Sequence, residues 1–573
     1  MSKAMDVLHQ RCQIHIFSSF NHLAAFRERF AHMERLDDIR EINMSRFLKM
    51  LYHWNMLAFY RISPSTTHQY KVSRRAEKKG KRKIRRQTQQ RDPTTNPRFG
   101  QWFRTLLLRR LPDFCWRTAG KVCRKLTLSR LRTITFRKIG SLCHRIAAGV
   151  FSRIRRLSRE FHKAISRSLR DLVYQTVDGF LHDFTVRVGS AGVYSLSRRL
   201  LRTQLRRDAR YRWYRRYFHK DGIDTVITAN PLCSREYPAL LAARDMGLRT
   251  VAVITSWDNL SSKRPLIIPF DEYLVWSPIM AREIKYFYHA KDAQVHEIGP
   301  TQFDHYFDER FIDRREDFCR RYGLDPSRKI VVYSTVTTKL LPDEPRIVEK
   351  LLLALKQGRV KGCPNLLIRL HPKRPMEDFR QVMEDKRWEG MPVAWTEAGK
   401  PVWDDLDLWC PMDDEIRLLT NTVLHGDVNL NCFSTMMLDF ATLDKPAVLI
   451  CHDGHDRKLR YELYEHLKPV LACKGNRTGY TFEQTLEHLN TYLEDPTLER
   501  EGRAAMVRMQ CGLSLGWAWQ RLVQAVLGDG VLPPPPQGVS APAPTASLTP
   551  RATAGSDRSA DLEDVRSEGS VSR

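Results

Sequence analysis

The chain has 573 residues, 42% of them hydrophobic, so it exceeds one hydrophobic core and can build at least two domains. Its formal net charge is +30, but residues 1–220 hold 51 basic and 14 acidic side chains, which leaves the rest of the chain near −7. The longest apolar runs fall short of the roughly 18 to 20 residues that cross a bilayer. Residues 1–13 also lack the apolar segment of a signal peptide, so we expect a cytoplasmic protein.

The 12 cysteines are scattered, without a CxxC pair and without a Cys/His cluster at zinc spacing. This pattern favours neither a disulfide framework nor a metal site. We therefore expect mostly buried, reduced thiols and no cofactor.

The first predicted elements are a short strand at residues 13–18 and a helix at 20–33 with apolar positions at Leu23, Phe26 and Phe30. This order is typical of the start of a Rossmann-like half. We assign residues 1–70 to the first part of an amino-terminal, acceptor-binding domain.

Residues 71–220 form a predicted basic insert. It opens with the like-charge run KVSRRAEKKGKRKIRRQ, and its remainder alternates Arg with Leu, Ile, Phe and Trp at helical spacing. These patterns indicate basic amphipathic helices. Their arginines suit an anionic membrane surface, with nucleic-acid phosphate or a merely solvated face as the alternatives.

From Asp221 onward strands alternate with helices, including helices predicted at 234–246 and 279–289, which implies a parallel, doubly wound sheet. We assign residues 221–305 to the rest of the amino-terminal domain and 306–527 to a second Rossmann-like domain. The strands predicted in the second domain lie near 329–333, 366–370, 391–395, 422–425 and 447–451. Residues 528–573 are rich in Pro, Ser and Ala and predict a disordered tail.

Three predicted strand ends of the second domain carry polar, phosphate-compatible groups, which are Ser334 and Thr335, then His371 and Lys373, then Asn431, Ser434 and Thr435. Open α/β sheets place ligand contacts at the carboxyl ends of parallel strands. Ser434 and Thr435 stand where a helix N-cap belongs, so backbone N–H groups and hydroxyls would converge on one anion. The alternative is an ordinary cap without a ligand.

The runs RKIVVYSTV, LLIRLHPK and DVNLNCFSTMMLDFATLDKPAVLI resemble the donor-binding half of one GT-B transferase group. This group comprises the CDP-glycerol glycerophosphotransferases and the capsule or surface-polysaccharide glycosyltransferases, and the resemblance spans residues 221 to 527. It implies two Rossmann-like domains facing a cleft, with His371 and the Ser434–Thr435 pair gripping a nucleotide diphosphate. It also implies a nucleotide sugar or CDP-glycerol as donor and a glycan or lipid-linked acceptor.

The stretch from Ser256 to Lys263 looks like the Trp-His-Gly-Thr-Pro-Leu-Lys loop of the glycerophosphotransferases, whose histidine is the proposed base. Asp258 stands where that histidine would be. A carboxylate in a half-dry cleft can have its pKa raised toward proton abstraction, so Asp258 is the predicted general base. The alternative is an Asx-turn that caps the next segment.

Other carboxylates and histidines have weaker patterns. Asp439 lies one turn into the predicted helix and could reach a ribose hydroxyl, or be solvated or capping. Asp405 and Asp407 are interpreted as surface residues, while the CHDGHD run at 451–456 could approach the donor base or, alternatively, hold a metal.

The sequence thus predicts a metal-independent GT-B transferase that moves a sugar or glycerol phosphate in cell-surface polysaccharide or glycolipid synthesis. The basic insert would hold it at the inner face of the membrane. The alternatives are a nucleotide-sugar 2-epimerase-like enzyme, which needs no acceptor, and a non-catalytic scaffold that binds nucleic acid.

Overall fold

The computed structural model describes residues 2–18, 28–33, 35–38, 46–63, 65, 67, 71, 190–397, 411–512, 515–528, 530, 532 and 533. The chain divides into two compact units. The amino-terminal unit comprises Leu8–Ile298 and Arg460–Ala472. The carboxy-terminal unit comprises Met1–Val7, Gly299–Leu459 and Cys473–Arg573. The main division falls after Ile298, and the short segments Met1–Val7 and Arg460–Ala472 are exceptions to it, while the domain boundary between 305 and 306 stays a prediction.

The amino-terminal unit holds two parallel sheets. The strands β1 (His15–Ser18) and β2 (Arg35–Asp38) pair in one of them. The other has four strands in sequence order, β3 (Thr225–Thr228), β4 (Arg249–Val253), β5 (Glu272–Val275) and β6 (Val295–Glu297). Parallel neighbours need helical crossovers, which agrees with the βα repeats seen in the sequence.

The first helix of the chain, α1 (Ser2–His9), has only its last two residues in the amino-terminal unit. The other helices of this unit follow α1 in the chain. They are α2 (Arg46–Ile62), α3 (Ser190–Arg206), α4 (Ala209–Lys220), α5 (Tyr237–Asp245), α6 (Asn259–Ser262), α7 (Pro278–Tyr288) and, further along the chain, α13 (Leu467–Ala472). Helix α7 starts where expected, because Ser277 Oγ accepts from Met280 N at 3.4 Å and Pro278 occupies the first turn.

The carboxyl end of the predicted insert is built into this unit. Asn55 of α2 donates to the carbonyl of Tyr194 at 3.0 Å and to Ser197 Oγ at 2.9 Å, both on α3. Arg202 of the same helix donates to the carbonyl of Ile267 at 2.7 Å. Residues 190–220 are therefore helical, as predicted, and packed against the α/β unit. The rest of the insert, 72–189, and the predicted tail from 534 lie outside the described residues.

The carboxy-terminal unit is built on six parallel strands, β7 (Ile330–Ser334), β8 (Asn365–Leu370), β9 (Val393–Glu397), β10 (Val428–Asn431), β11 (Ala447–Ile450) and β12 (Arg477–Gly479). Their order across the sheet is β12-β11-β10-β7-β8-β9. Counting from β7, this is the doubly wound order 3-2-1-4-5-6, and the strand order reverses between β7 and β10. The crevice beyond that switch point is where such sheets bind ligands.

The helices of this unit are α8 (Arg315–Tyr322), α9 (Glu344–Lys356), α10 (Arg380–Met383), α11 (Asp413–His425), α12 (Met436–Thr442), α14 (Phe482–Glu494), α15 (Arg500–Cys511) and α16 (Ala518–Leu527). The core between α9, α14 and the sheet contains Val331, Tyr333, Ile368, Leu489 and Tyr492, all at most 2% exposed.

The predicted α/β class, with a Rossmann-like unit in each half, is confirmed by these sheets. The strand predicted at 422–425 is wrong, because these residues end helix α11 and the strand follows at Val428–Asn431. The β-branched Thr422 makes the sequence pattern resemble a strand. Its hydroxyl bonds the carbonyl of Leu418 at 2.7 Å, one helical turn earlier, and so fits the helix. The strand predicted near 391–395 lies two residues later, at Val393–Glu397.

Candidate functional site

A row of polar side chains crosses the switch point of the six-stranded sheet. Ser334 at the end of β7 is in register with Arg369 of β8 on one side and with Asn431 of β10 on the other. Residues in register on parallel strands point to the same face, so the three side chains line one surface near the carboxyl edge. All three are at most 6% exposed. Buried polar groups in such a row need partners, which the structure supplies for two of the three.

The two asparagines of β10 link this row by hydrogen bonds. Asn429 Nδ2 donates to Ser334 Oγ at 2.9 Å, and Asn431 Nδ2 donates to Asn429 Oδ1 at 2.6 Å. Asn431 Oδ1 then accepts from the backbone N–H of Ser434 at 2.8 Å. The structure thus brings the predicted residues Ser334, Asn431 and Ser434 into one network.

Thr435 is the N-cap residue of α12 but its side chain makes no capping bond, while Ser434 Oγ, one residue earlier, accepts from Met436 N at 3.4 Å. Phe433 has a left-handed backbone with φ of 54°, which turns the chain sharply from β10 into this cap. Helix α12 has only seven residues. A ligand role for Ser434 and Thr435 therefore depends on their hydroxyls and on the polar row more than on a helix dipole.

His371 is anchored at the next strand end by three local bonds. Thr335 N donates to the carbonyl of Arg369 at 3.0 Å, and His371 N donates to Thr335 Oγ1 at 2.8 Å. The backbone N–H of Lys373 donates to His371 Nδ1 at 3.0 Å. Nδ1 is therefore an acceptor, which assigns the ring proton to Nε2 and makes Nε2–H a donor.

The imidazole of His371 is neutral near pH 7. Burial, followed by the positive charges of Lys373 and Arg369, lowers its pKa to about 4. A neutral donor in this position can bond an anionic oxygen without carrying a charge. Hydrogen bonds thus tie Thr335, in the loop after β7, to His371 and Lys373, in the loop after β8.

Sequence reasoning missed Arg369 and Tyr306. Arg369 is 6% exposed, and its Nη1 has no hydrogen-bond partner among the described residues. An unsatisfied buried guanidinium is costly unless an anion completes it. The signal was present in the sequence, because an arginine interrupts the otherwise apolar strand LLIRL.

Asp439 faces this arginine from α12. Its Oδ1 accepts from Tyr306 Oη at 2.6 Å, and its side chain is 5% exposed, so the solvated or capping alternative is wrong. Burial raises the pKa of Asp439 to about 7, while the Tyr306 hydrogen bond and the Arg369 charge oppose that rise. A contact between Asp439 and a ribose stays a prediction.

A buried ion pair links the loops that follow strands β7 and β8. Arg374 Nη1 lies 3.4 Å from Glu344 Oε2, with neither side chain exposed, and also donates to the carbonyl of Leu341 at 2.8 Å. Glu344 accepts from the backbone N–H of Val336 at 3.1 Å. The pair therefore ties the loop after β7 to the loop that contains His371.

In the amino-terminal unit, Asp258 is held by three groups of its own loop. Ser256 Oγ donates to Oδ1 at 2.7 Å, Ser262 Oγ donates to Oδ2 at 2.8 Å, and Lys263 Nζ lies 3.0 Å from Oδ2. The capping alternative for Asp258 is not formed, because its side chain makes no capping bond to the backbone of α6.

The expected upward shift of the Asp258 pKa is wrong. Burial does favour the neutral acid, but Lys263, the His466 ring and the Ser256 hydrogen bond outweigh burial and hold the pKa well below its usual value. The carboxylate therefore stays ionised over the whole physiological range. A strongly stabilised anion is a weak base, which bears directly on its predicted role.

A second candidate proton acceptor, His466, stands beside this loop. Its ring meets Trp257 edge to face with centroids 4.8 Å apart, and its Nδ1 has no hydrogen-bond partner among the described residues. Burial lowers the pKa of His466 to about 4, which leaves a neutral imidazole. Its position almost 210 residues downstream of Asp258 in the sequence gave no signal.

Lys71 completes the surroundings of Asp258. Its Nζ donates to the carbonyl of Ser262, and burial followed by the nearby charge of Lys263 lowers its pKa to about 8. The two lysines make this loop a cationic environment around one carboxylate.

Two residues of the CHDGHD run make structural contacts within the carboxy-terminal unit. His452 is fully buried, with Nε2 3.2 Å from Thr485 Oγ1, and Asp456 accepts from Phe482 N at 2.8 Å. In the described part of the chain, no group of three or more His, Cys, Asp or Glu is placed to hold a metal ion. Asp405 and Asp407 lie outside the described residues. No helix that the structure describes is long and apolar enough to cross a membrane.

No protein-family model and no curated protein matches the chain. Among solved structures, UDP-GlcNAc 2-epimerase from Neisseria meningitidis bound to UDP-GlcNAc is 13% identical, with a TM-score of 0.39, over 58% of this chain and 82% of that one. A glycosyltransferase from Rickettsia africae is 10% identical, with a TM-score of 0.36, over 56% and 81%. The wall teichoic acid polymerase TagF is 10% identical, with a TM-score of 0.36, over 58% and 96%.

Proposed function

We propose that the protein is a GT-B-type transferase that binds a nucleotide-activated donor at the carboxyl edge of the six-stranded sheet. The observation that carries this proposal is the row Arg369–Ser334–Asn431 across the switch point, with one arginine nitrogen left without a partner. Doubly wound sheets of this strand order bind nucleotides at that place. The proposed donor is a nucleotide sugar or CDP-glycerol. The proposed process is the synthesis of a cell-surface polysaccharide or glycolipid.

The chemistry proposed for this edge is stabilisation of a leaving phosphate. Negative charge grows on the nucleotide as the bond to the transferred group breaks. His371 Nε2–H, the hydroxyls of Ser334, Thr335, Ser434 and Thr435 and the Lys373 ammonium are the proposed contacts. Arg369 supplies the fixed positive charge within the sheet, so the proposed reaction needs no metal.

The acceptor, a glycan or lipid-linked hydroxyl, must lose a proton as it attacks. Asp258 is the proposed base, and the neutral His466 beside it is the second candidate. An ionised Asp258 would stabilise the imidazolium that forms if His466 accepts the proton, as a carboxylate does for a catalytic histidine. The two assignments differ in what each single substitution does.

The test is a thermal-shift and calorimetric screen of the full chain against CDP-glycerol and common nucleotide sugars. A ligand at 100 times its Kd stabilises the protein by roughly 2.7 kcal/mol. Arg369→Met should abolish the shift, whereas the matched control Arg380→Met, on a side chain 64% exposed, should keep it. A shift that survives Arg369→Met, or no shift with any nucleotide, contradicts the proposed donor site.

The same screen separates the alternatives. An epimerase would convert the sugar of the nucleotide donor in the absence of any acceptor, which product analysis by chromatography detects. A nucleic-acid-binding scaffold would bind duplex DNA or RNA with log K falling linearly in log salt and would ignore nucleotide sugars.

A further inference from the structure

A pocket of about 140 Å³, open to solvent, lies within the amino-terminal unit. Six aromatic side chains border it, namely Phe59, Tyr194, Tyr273, Tyr286, Phe287 and Tyr288. This volume is below the roughly 300 to 1,000 Å³ of sites that enclose a whole drug-sized ligand, so the pocket can hold only a short section of a chain. None of the described residues that border it is acidic.

The wall of the pocket is rigid. The rings of Phe59 and Tyr288 stack with centroids 5.5 Å apart at 23°, and Phe59 also meets Tyr194 at 5.5 Å. Tyr288 Oη donates to the carbonyl of Leu260 at 3.1 Å, which fixes the wall to helix α6. A preformed apolar wall binds a ligand without first ordering its own side chains.

Two hydroxyls of the wall are engaged with backbone. Tyr273 Oη accepts from Phe270 N at 3.0 Å, and Ser63 Oγ accepts from Ser65 N at 3.3 Å. These two hydroxyls are therefore less available to a saccharide, which must replace its many hydrogen bonds to water. Ring faces and aliphatic surface remain, and these suit a hydrocarbon chain.

One cation borders the pocket. The Arg198 guanidinium lies 5.2 Å from the centroid of the Tyr194 ring. Its surroundings are basic, because residues 190–220 contain ten Lys or Arg against one Asp, and the basic side chains at 199, 212, 215, 216 and 220 are exposed. This charge favours an anionic head group beside an apolar chain.

We propose that this pocket binds a lipid phosphate, with the hydrocarbon chain against the aromatic wall and the phosphate on Arg198. Tyr286, whose side chain is 65% exposed, would cover the chain at the rim. The Tyr286 ring would then bury apolar surface against the chain. This site is separate from the donor site and does not depend on it.

The test is isothermal calorimetry of the full chain with farnesyl phosphate and dodecyl phosphate below their critical micelle concentrations. Both carry a phosphate on a hydrocarbon chain, and the tighter of the two identifies an isoprenoid or a straight-chain source. Farnesol should bind at least about tenfold more weakly than farnesyl phosphate, because it lacks the charge-assisted contact. Inorganic phosphate should not bind.

Two variants and one matched control locate the site. Arg198→Gln should weaken farnesyl phosphate about tenfold to a hundredfold. Arg199→Gln, on the adjacent exposed position of the same helix, should leave the affinity within about twofold of the original. Tyr286→Ser should weaken binding about threefold to tenfold, with the melting temperature unchanged because the residue is exposed.

Equal losses in Arg198→Gln and Arg199→Gln would overturn the proposal, since they would indicate attraction to the basic face alone. Saturable binding of a mono- or disaccharide, with no binding of either lipid phosphate, would overturn it as well. Nucleotide binding at the donor site is unaffected by either result, so the two proposals fail separately.

Discussion

Lys263 Nζ lies 3.0 Å from Oδ2 of Asp258, and this ion pair fixes the ionisation state of the carboxylate that the sequence singles out. Because Lys263 and His466 lower the Asp258 pKa despite burial, the side chain is a permanent anion at neutral pH. Its role in proton transfer must then be either direct, as a weak base, or indirect, as the charge that stabilises a protonated His466.

Asp258→Asn should lower turnover about 10²- to 10⁴-fold while donor affinity stays nearly unchanged, because the amide keeps the shape but loses the charge. If the two residues act as a unit, His466→Gln should cause a similar loss, and the double variant should be little worse than either single one. The measurement is kcat with a true acceptor, alongside calorimetric donor binding.

Lys263→Gln is the control for the effect of the Lys263 charge on Asp258. It should raise the pKa of Asp258 toward its usual value without removing the carboxylate. If Asp258→Asn turns over within a few-fold of the original protein, Asp258 serves only to hold Ser256 and Ser262, and the base lies elsewhere.

His371→Ala should weaken donor binding by about 1.5 to 3 kcal/mol, because one hydrogen bond to a charged phosphate oxygen is lost. The His371 pKa is lowered to about 4, so this donor is neutral, and affinity for a nucleotide sugar should be flat between about pH 5.5 and 8. Calorimetry at several pH values measures both effects.

His219→Ala, at an exposed position in the other unit, is the matched control and should bind the donor normally. Affinity that falls as pH rises through about 6.5 would show a charged imidazole at work and contradict the neutral donor. Unchanged affinity in His371→Ala would make the residue purely structural.

The sequence specified the β-strands of the donor-binding unit well where apolar runs end in polar residues, as at Ser334 and His371. It misplaced β10, because the β-branched end of α11 imitates a strand. The partners of the site could not be predicted in the same way. Tyr306 and Asp439, or Asp258 and His466, are distant in sequence, and only packing brings them together.

The predicted membrane binding can be tested with a deletion variant. The deletion should spare residues 190–220, because they belong to the amino-terminal unit. Removing residues 72–189 and keeping α3 and α4 should leave the unit folded. Loss of sedimentation with anionic vesicles, and no binding of the full chain to neutral ones, is the expected result. Equal binding to both vesicle types, or stronger binding to duplex DNA at physiological salt, contradicts a membrane role.

Asp439 should make stability depend on pH. Its folded-state pKa, about 7, lies above the ordinary value of 3.8, so the native state binds the proton more tightly. The stability that this group contributes is therefore complete below about pH 4 and is lost as pH rises through 7. Asp439→Asn keeps an acceptor for Tyr306 and removes this titration.

As pH rises from about 4 to 8, the free energy of unfolding of Asp439→Asn should increase relative to that of the original protein by on the order of 2 to 4 kcal/mol. Melting temperatures of both proteins across this range measure the difference. The exposed Asp414→Asn should follow the original profile, and parallel profiles for Asp439→Asn would contradict the buried, raised pKa.

The Glu344–Arg374 pair should be essential to the carboxy-terminal unit. Both side chains are 0% exposed with 3.4 Å between Arg374 Nη1 and Glu344 Oε2, so Arg374→Met leaves a buried carboxyl group without its cation. Removing one partner of a buried pair costs about 3 to 5 kcal/mol, which is a fall of roughly 6 to 20 °C in melting temperature. The double variant Arg374→Met/Glu344→Gln should recover part of this loss, because the glutamine amide is neutral, whereas burial raises the pKa of Glu344 to about 8 and its carboxyl group must take up a proton to fold near pH 7. Arg387→Met, on an exposed arginine, is the control, and a similar small loss in both single variants would mean that the pair contributes no more than a surface contact.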